Sequence, residues 1–251
     1  MSGLAKANAN ALFVLGDSVN EGNPLQFDML EKAVAGTSFP IYWVMGNHDY
    51  CHNVLNDDEL EIQRSMFYRV SGCKIGEKLV HRYELAHGIR LVTINPERAF
   101  TDNCNIDFSK GATYAGYPLK AYEQLEHALT QNAPAGSVAQ IVISHYPLDQ
   151  KISNLHECDL LPDGEYQDDR MRHTLGSGKN VFFIAGHAHG DGPCASTPPP
   201  GHDHKHNFVS IHAGALFNDM QFLIMQINDG YIEYHMETIG KPAYESIRLK
   251  I

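Results

Sequence analysis

The chain has 251 residues, 43% of them hydrophobic and 20% charged, which fits one soluble globular domain with a sizeable core. Its formal net charge of -11 excludes a broad nucleic-acid or anionic-membrane face, because such faces work by Lys and Arg neutralising phosphate. A phosphate ester remains a possible ligand if bound cations supply positive charge locally. The five cysteines (Cys51, Cys73, Cys104, Cys158 and Cys194) are odd in number and dispersed, with no Cys-x-x-Cys. That argues against a disulfide framework or a zinc ribbon and for a reducing compartment. No Asn-x-Ser/Thr acceptor occurs, residues 1–10 lack the apolar core of a signal peptide, and no apolar run approaches the roughly 18 residues of a membrane span. The expectation is a cytoplasmic protein with no membrane partner; oligomeric state stays open.

In chain order, residues 3–10 read as the end of a helix leading into a strand at 11–15. A helix follows over Pro24–Ala35, with Phe27, Leu30 and Val34 on one face and Gly36 free to cap its end. A strand at 41–45 leads to the polar stretch 50–64, which reads as an active-site loop whose Asp57-Asp58-Glu59 is a solvated face. Leu79–Leu85 and Gly88–Asn95 form a strand pair with a tight connection, and 97–117 is a long loop. Pro118 opens a helix with Tyr122, Leu125 and Leu129 on one stripe, ending before Pro134. Next come a strand at 139–144, a helix near 165–175, a strand at 181–185 and a Gly/Pro/His-rich insertion at 190–207. Strands at 208–212, 221–227 and 231–236 close the chain, the last two joined by the hairpin turn Asn228-Asp229-Gly230. No repeat or linker divides the chain, so residues 1–251 read as a single domain.

Four of these apolar strands end in the same grammar. Gly16-Asp17 follows Ala11–Leu15, Gly46-Asn47-His48-Asp49 follows Ile41–Met45, His145 follows Gln140–Ser144, and Gly186-His187-Ala188-His189 follows Val181–Ala185. Ligands of open α/β sheets gather outside the carboxyl ends of the strands. A carboxylate, an amide oxygen and imidazoles, with no thiolate, suit Zn, Mn, Fe or a similar divalent ion. Each motif alone has an ordinary structural reading, and their joint occurrence behind successive strands is what points to a polynuclear metal site. Among the other histidines, His52 reads as a surface residue, His212 as a core or near-site residue, and the run His202–His206 as a solvated loop.

With these motifs the chain resembles the calcineurin-like metallophosphoesterase superfamily. That family carries Asp-x-His, Gly-Asp-x-x-Asp/Asn, Gly-Asn-His-Asp/Glu, a lone His before x-Pro, and Gly-His-x-His. This sequence has Gly16-Asp17-Ser18-Val19-Asn20, Gly46-Asn47-His48-Asp49, His145-Tyr146-Pro147 and Gly186-His187-Ala188-His189. The resemblance implies an α/β fold, a two-sheet αββα sandwich. It implies that Asp17 bridges two divalent ions (Mn, Zn, Fe or similar), that Asn47, His145 and His187 complete one ion's ligands, and that His189 serves the other. It implies catalytic roles for His48, near the leaving-group oxygen, and for Asp49, holding the His48 ring and favouring its protonated form. The stretches Trp43–Asp49 and Ser144–Pro147 are similar to those of purple acid phosphatases. Those enzymes place a tyrosine three residues after the bridging aspartate, whereas this chain has Asn20, so an Fe(III)-tyrosinate site is not expected.

One family motif is absent: no Asp-x-His occurs anywhere in the sequence. Either the first β-α unit is missing from this sequence, or the protein works with a reduced site holding a single ion. The implied function is hydrolysis of a phosphate monoester or diester, of a small molecule or a phosphorylated partner, by attack of a metal-bound hydroxide. The alternative is a metallophosphoesterase-like scaffold that has lost catalysis and serves as a binding protein with a partial metal site.

Overall fold

A computed structural model describes residues 9–50, 57–76, 78–96, 117–131, 139–148, 167–187, 202–203, 208–213, 221–228, 230–240 and 246–250. Strands β1 (Leu12–Leu15) and β2 (Ile41–Val44) pair in parallel, Leu12 opposite Ile41 and Leu15 opposite Val44. Between them runs α1 (Pro24–Val34), with Asn23 as its N-cap: the Asn23 side chain accepts from the Gln26 N–H at 3.0 Å. As expected from the spacing, Phe27 is fully buried, and Leu30 and Val34 pack against the core.

The expected polar loop at 50–64 is in part a helix. After a 3-10 turn at His48–Tyr50, α2 spans Asp57–Ser71 and buries Leu60, Gln63, Met66 and Phe67. Those positions recur every three or four residues, a stripe that acidic neighbours hide in the sequence. Asp57, Asp58 and Glu59 lie in the first turn, where the positive end of the helix dipole favours them.

Six strands form the main sheet in the order β3-β4-β5-β6-β8-β7: β3 (Val80–Glu84), β4 (Ile89–Ile94), β5 (Ala139–Ser144), β6 (Val181–Ala185), β8 (Phe208–His212) and the two-residue β7 (His202–Asp203). From β4 through β8 the pairs are parallel, while β3 and β7 run antiparallel at the edges. The central strands β4, β5 and β6 are buried on both faces, which explains the unbroken apolar run of β6 and the largely apolar β4 and β5, where only Arg90, Thr93, Gln140 and Ser144 are polar. Leu91, Ile141, Ile143, Phe182 and Ile184 point one way; Val92, Ile94, Val142, Phe183 and Ala185 point the other.

Two smaller sheets share a core with the first of those faces. Phe13, Leu15, Tyr42 and Val44 of β1–β2 pack there beside Ile232 and Tyr234, together with residues of the antiparallel sheet β9 (Gln221–Asn228), β10 (Tyr231–Thr238) and β11 (Ile247–Lys250). The layer is therefore two sheets side by side among the described residues, where one was expected, and β11 lies beyond the last strand read from the sequence. On the other face lie α3 (Leu119–Thr130) and α4 (Gln167–Gly176), through Ala121, Tyr122, Leu125, Leu129, Met171 and Leu175. Helices α1 and α2 pack together outside β2. The αββα order holds. Residues 1–8, most of the 97–117 loop and most of the 190–207 insertion lie outside the described residues. Among the described residues, no helix is long and apolar enough to cross a membrane.

Among the described residues, the helix-covered face of the main sheet carries one buried guanidinium, Arg90 of β4. Its guanidinium takes Glu84 Oε1 at 2.9 Å and reaches the Ala128 and Gln131 carbonyls at 3.1 Å, closing the C-terminal turn of α3 against the sheet. Arg90→Ala would take the guanidinium from the Ala128 carbonyl and leave the Gln131 carbonyl to the longer Arg82 contact at 3.3 Å. It should cost about 2–4 kcal/mol, read as a lowered urea midpoint with an unchanged slope.

Candidate metal centre

Parallel pairing brings the carboxyl ends of β1, β2, β5 and β6 to one edge of the sandwich, and the chain turns sharply after each. The turns are unusual. Gly16 has φ +88, and the next residue, Asp17, is itself left-handed at φ 52, as is His187 at φ 64. Non-glycine residues visit that region rarely, and such strain concentrates at functional sites. Gly46 has a different reason to be glycine. A Cβ there would come within 3.0 Å of the Asp17 carboxylate, the Asp17 amide and the His145 ring. The backbones of two loops thus approach as closely as the chain permits.

Four side chains converge in that space. His145 Nε2 lies 2.9 Å from Asn47 Oδ1, 3.1 Å from His187 Nδ1 and 3.4 Å from Asp17 Oδ2. One ligand atom each from Asp17, His145 and His187 falls within 4.8 Å of the others. Ligands at about 2.1 Å from a shared ion stand about 3.0–3.4 Å apart, so this donor set fits a divalent cation. The outer contacts fit as well. His145 Nδ1 meets the Leu15 carbonyl at 2.7 Å, and a donated second N–H is how a metal-binding histidine is held.

The electrostatics keep Asp17 charged. Burial by itself would raise its carboxyl, but the His145 bond and charge, with the His48 backbone N–H and ring, outweigh it and hold Asp17 at about 2. His145 is opposed in the same way: burial favours its neutral form, yet Asp17 and the Leu15 carbonyl prevail and its pKa is raised.

His48 occupies the mouth. Its side chain is 30% exposed against 1% for His145, its Nδ1 meets the Asn20 carbonyl at 2.9 Å, and its Nε2 lies 4.0 Å from Asp17 Oδ2. The expectation that Asp49 holds this ring needs correction. The Asp49 carboxylate is fully buried, with Oδ2 accepting from the Gly46 N–H at 2.8 Å and Oδ1 from the Val19 N–H at 3.1 Å. Both oxygens are engaged by backbone, and the Asn20 carbonyl meets the imidazole instead. Burial pushes Asp49 up to about 7, with the Asp17 charge adding and the two N–H donors opposing.

Structure therefore brings together Asp17, Asn47, His145 and His187, places His48 at the rim and sets Asp49 beneath. His189 and His52 lie outside the described residues, and of the His202–His206 run only the backbone of 202–203 is described. Several supports escaped the sequence. The Tyr146 ring meets both imidazoles edge-on, 4.9 Å from His145 and 5.1 Å from His187. Ser144 Oγ meets the Tyr117 hydroxyl at 2.5 Å and the Tyr146 carbonyl at 3.2 Å, bracing the turn that carries His145. Asn95 Oδ1 accepts from Met45 N–H at 3.0 Å, fixing the end of β2. Carbonyls such as Leu15 and Asn20 carry no sequence signal, since every residue has one.

No curated protein matches the sequence. Among solved structures, the purple acid phosphatase PPD1 from yellow lupin (Lupinus luteus) seeds is similar with a TM-score of 0.59 at 13% identity, over 98% of this chain and 47% of that one. This chain thus spans about half that protein's length. A putative 5'-nucleotidase from Staphylococcus aureus, solved in complex with alpha-ketoglutarate, aligns at 9% identity and a TM-score of 0.42, over 90% of this chain and 40% of that one. The family profile described as calcineurin-like phosphoesterase matches residues 2–191, which takes in every strand end that supplies the site, and the chain belongs to that family.

Proposed function

We propose that this protein is a metal-dependent phosphoesterase acting on a phosphate monoester or diester, either a small molecule or a phosphorylated partner. The observation that carries the reading is the meeting of Asp17, Asn47, His145 and His187 from four separate strand ends, in a chain of a phosphoesterase family. These four residues would hold a divalent ion such as Zn, Mn or Fe, and His189 would belong to a second. When bound, such ions polarise a phosphoryl oxygen and lower the pKa of a water molecule.

The chain's own groups do the rest. Asp17, kept ionised, offsets cationic charge at the centre of the site. The Leu15 carbonyl fixes the His145 ring so that Nε2 faces Asp17, Asn47 and His187. The Asn20 carbonyl turns the His48 ring so that Nε2 looks towards Asp17 from the rim, where a substrate arrives. In the proposed reaction His48 Nε2–H donates its proton to the departing ester oxygen. No serine or cysteine nucleophile is required.

Metal analysis with a panel of monoester, diester and nucleotide substrates tests the reading. Two equivalents of metal with turnover support it; none or one, with no turnover, favours the binding scaffold. Asp17→Asn should remove metal and activity together. His48→Ala should keep the metal and lower kcat about 10²–10⁴-fold, most for esters with poor leaving groups; a silent variant on an alkyl phosphate would end the general-acid role. Metal uptake should also depend on pH. The cation competes with the proton on His145, whose pKa is raised, so affinity is full above that pKa and falls as the pH drops through it. Calorimetric titrations should show proton release, with affinity weakening about tenfold per pH unit on the acid side.

A further inference from the structure

We infer that Asp49 is a positioning residue for the cation, a clasp that sets the distance between the Asp17 loop and the Asn47 loop; the inference rests on the proposed metal site. Its carboxylate reaches in both directions. Oδ1 accepts from Val19 N–H, two residues after Asp17, and Oδ2 accepts from Gly46 N–H, one residue before Asn47. The contact is reciprocated: Asp17 Oδ1 accepts from the His48 N–H at 2.9 Å, one residue after Asn47. Each loop therefore contributes a carboxylate that takes a backbone donor of the other. Asp17 is left with Oδ2 facing His145, and Asn47 Oδ1 faces the same ring nitrogen.

The chemistry of the side chain suits that duty. A carboxylate offers two acceptor atoms at a fixed spacing, whereas an amide of the same shape offers one acceptor and a donor. At position 49 a donor would face a backbone N–H in a fully buried pocket. With Gly46 already admitting no Cβ beside Asp17, a small separation of the loops would move a ligand pair out of reach of one ion. Asp49 thus acts on the metal through two backbone amides, and the His48 ring has its own tether on the Asn20 carbonyl.

The test compares Asp49→Asn, Asp49→Ala and Asp49→Glu in the full chain, using Zn²⁺ or Mn²⁺ titration, amide hydrogen exchange on the metal-free protein, and steady-state kinetics. Asp49→Asn should weaken cation affinity about 10–100-fold, the usual effect of losing a group that orients ligands. It should speed exchange at Val19 and Gly46. At saturating cation its KM should match wild type and kcat should return to within a few-fold. Asp49→Glu, which retains both acceptors, should recover part of the affinity. Should Asp49→Ala fail to fold, the Asn and Glu variants carry the comparison. Unchanged affinity and exchange in Asp49→Asn would overturn the clasp. So would unchanged affinity with a kcat that added cation cannot restore, since the carboxylate would then work through His48. A wild-type chain that takes up no cation would end the metal-site reading and this inference with it, a result seen before any variant is made.

Discussion

The His145 imidazole is the point on which the sandwich edge closes. One nitrogen meets the main chain of the first strand end, at Leu15, and the other meets groups from the first, second and fourth. The ring is almost wholly buried, so each contact is made where water cannot replace it. Four turns must hold their places for this to happen, and the glycines and left-handed residues at 16, 17, 46 and 187 are how the chain brings them so near. The strain at Asp17 and His187 is local, held by a core that packs both sides of the main sheet.

Two carboxylates in this small volume have opposite environments. Asp17 faces an imidazole and a backbone N–H and stays ionised at low pH, while Asp49 lies deeper, meets two backbone donors and is pushed up by burial. The division follows from position: a charged group at the centre of the proposed cation site, and beneath it an acceptor for backbone N–H groups of two loops. Pairs of acids pushed apart by their surroundings mark functional sites in general. The two backbone N–H groups that Asp49 accepts give the deeper one an architectural place.

Much of the fold was legible because the central buried strands are mostly apolar. The strands at 181–185 and 139–144 lie where the sequence reading put them, since a strand covered on both faces shows as a dense apolar run of strand length. Helix α1 was legible through Phe27, Leu30 and Val34. Helix α2 was not: three acidic residues open it and its mean polarity masks a four-residue stripe that only neighbouring elements make sense of. The splitting of the second layer into β1–β2 and β9–β11 was also invisible, because pairing partners depend on which strands lie side by side in space.

Of the site itself, residue types and their order along the chain were determined by the sequence: Asp17, Asn47, His48, His145 and His187 each stand where a strand gives way to a loop, and motif chemistry needs nothing else to be recognised. What only the tertiary structure decided is which atom answers which. Asp49 and His48 are adjacent in sequence, and the family resemblance implied that the carboxylate holds the imidazole. In space the Asn20 carbonyl has the ring and backbone amides have the carboxylate. The reason is physical: main-chain donors and acceptors are the same at every position, so sequence cannot mark those that matter, and only packing two loops against each other selects them.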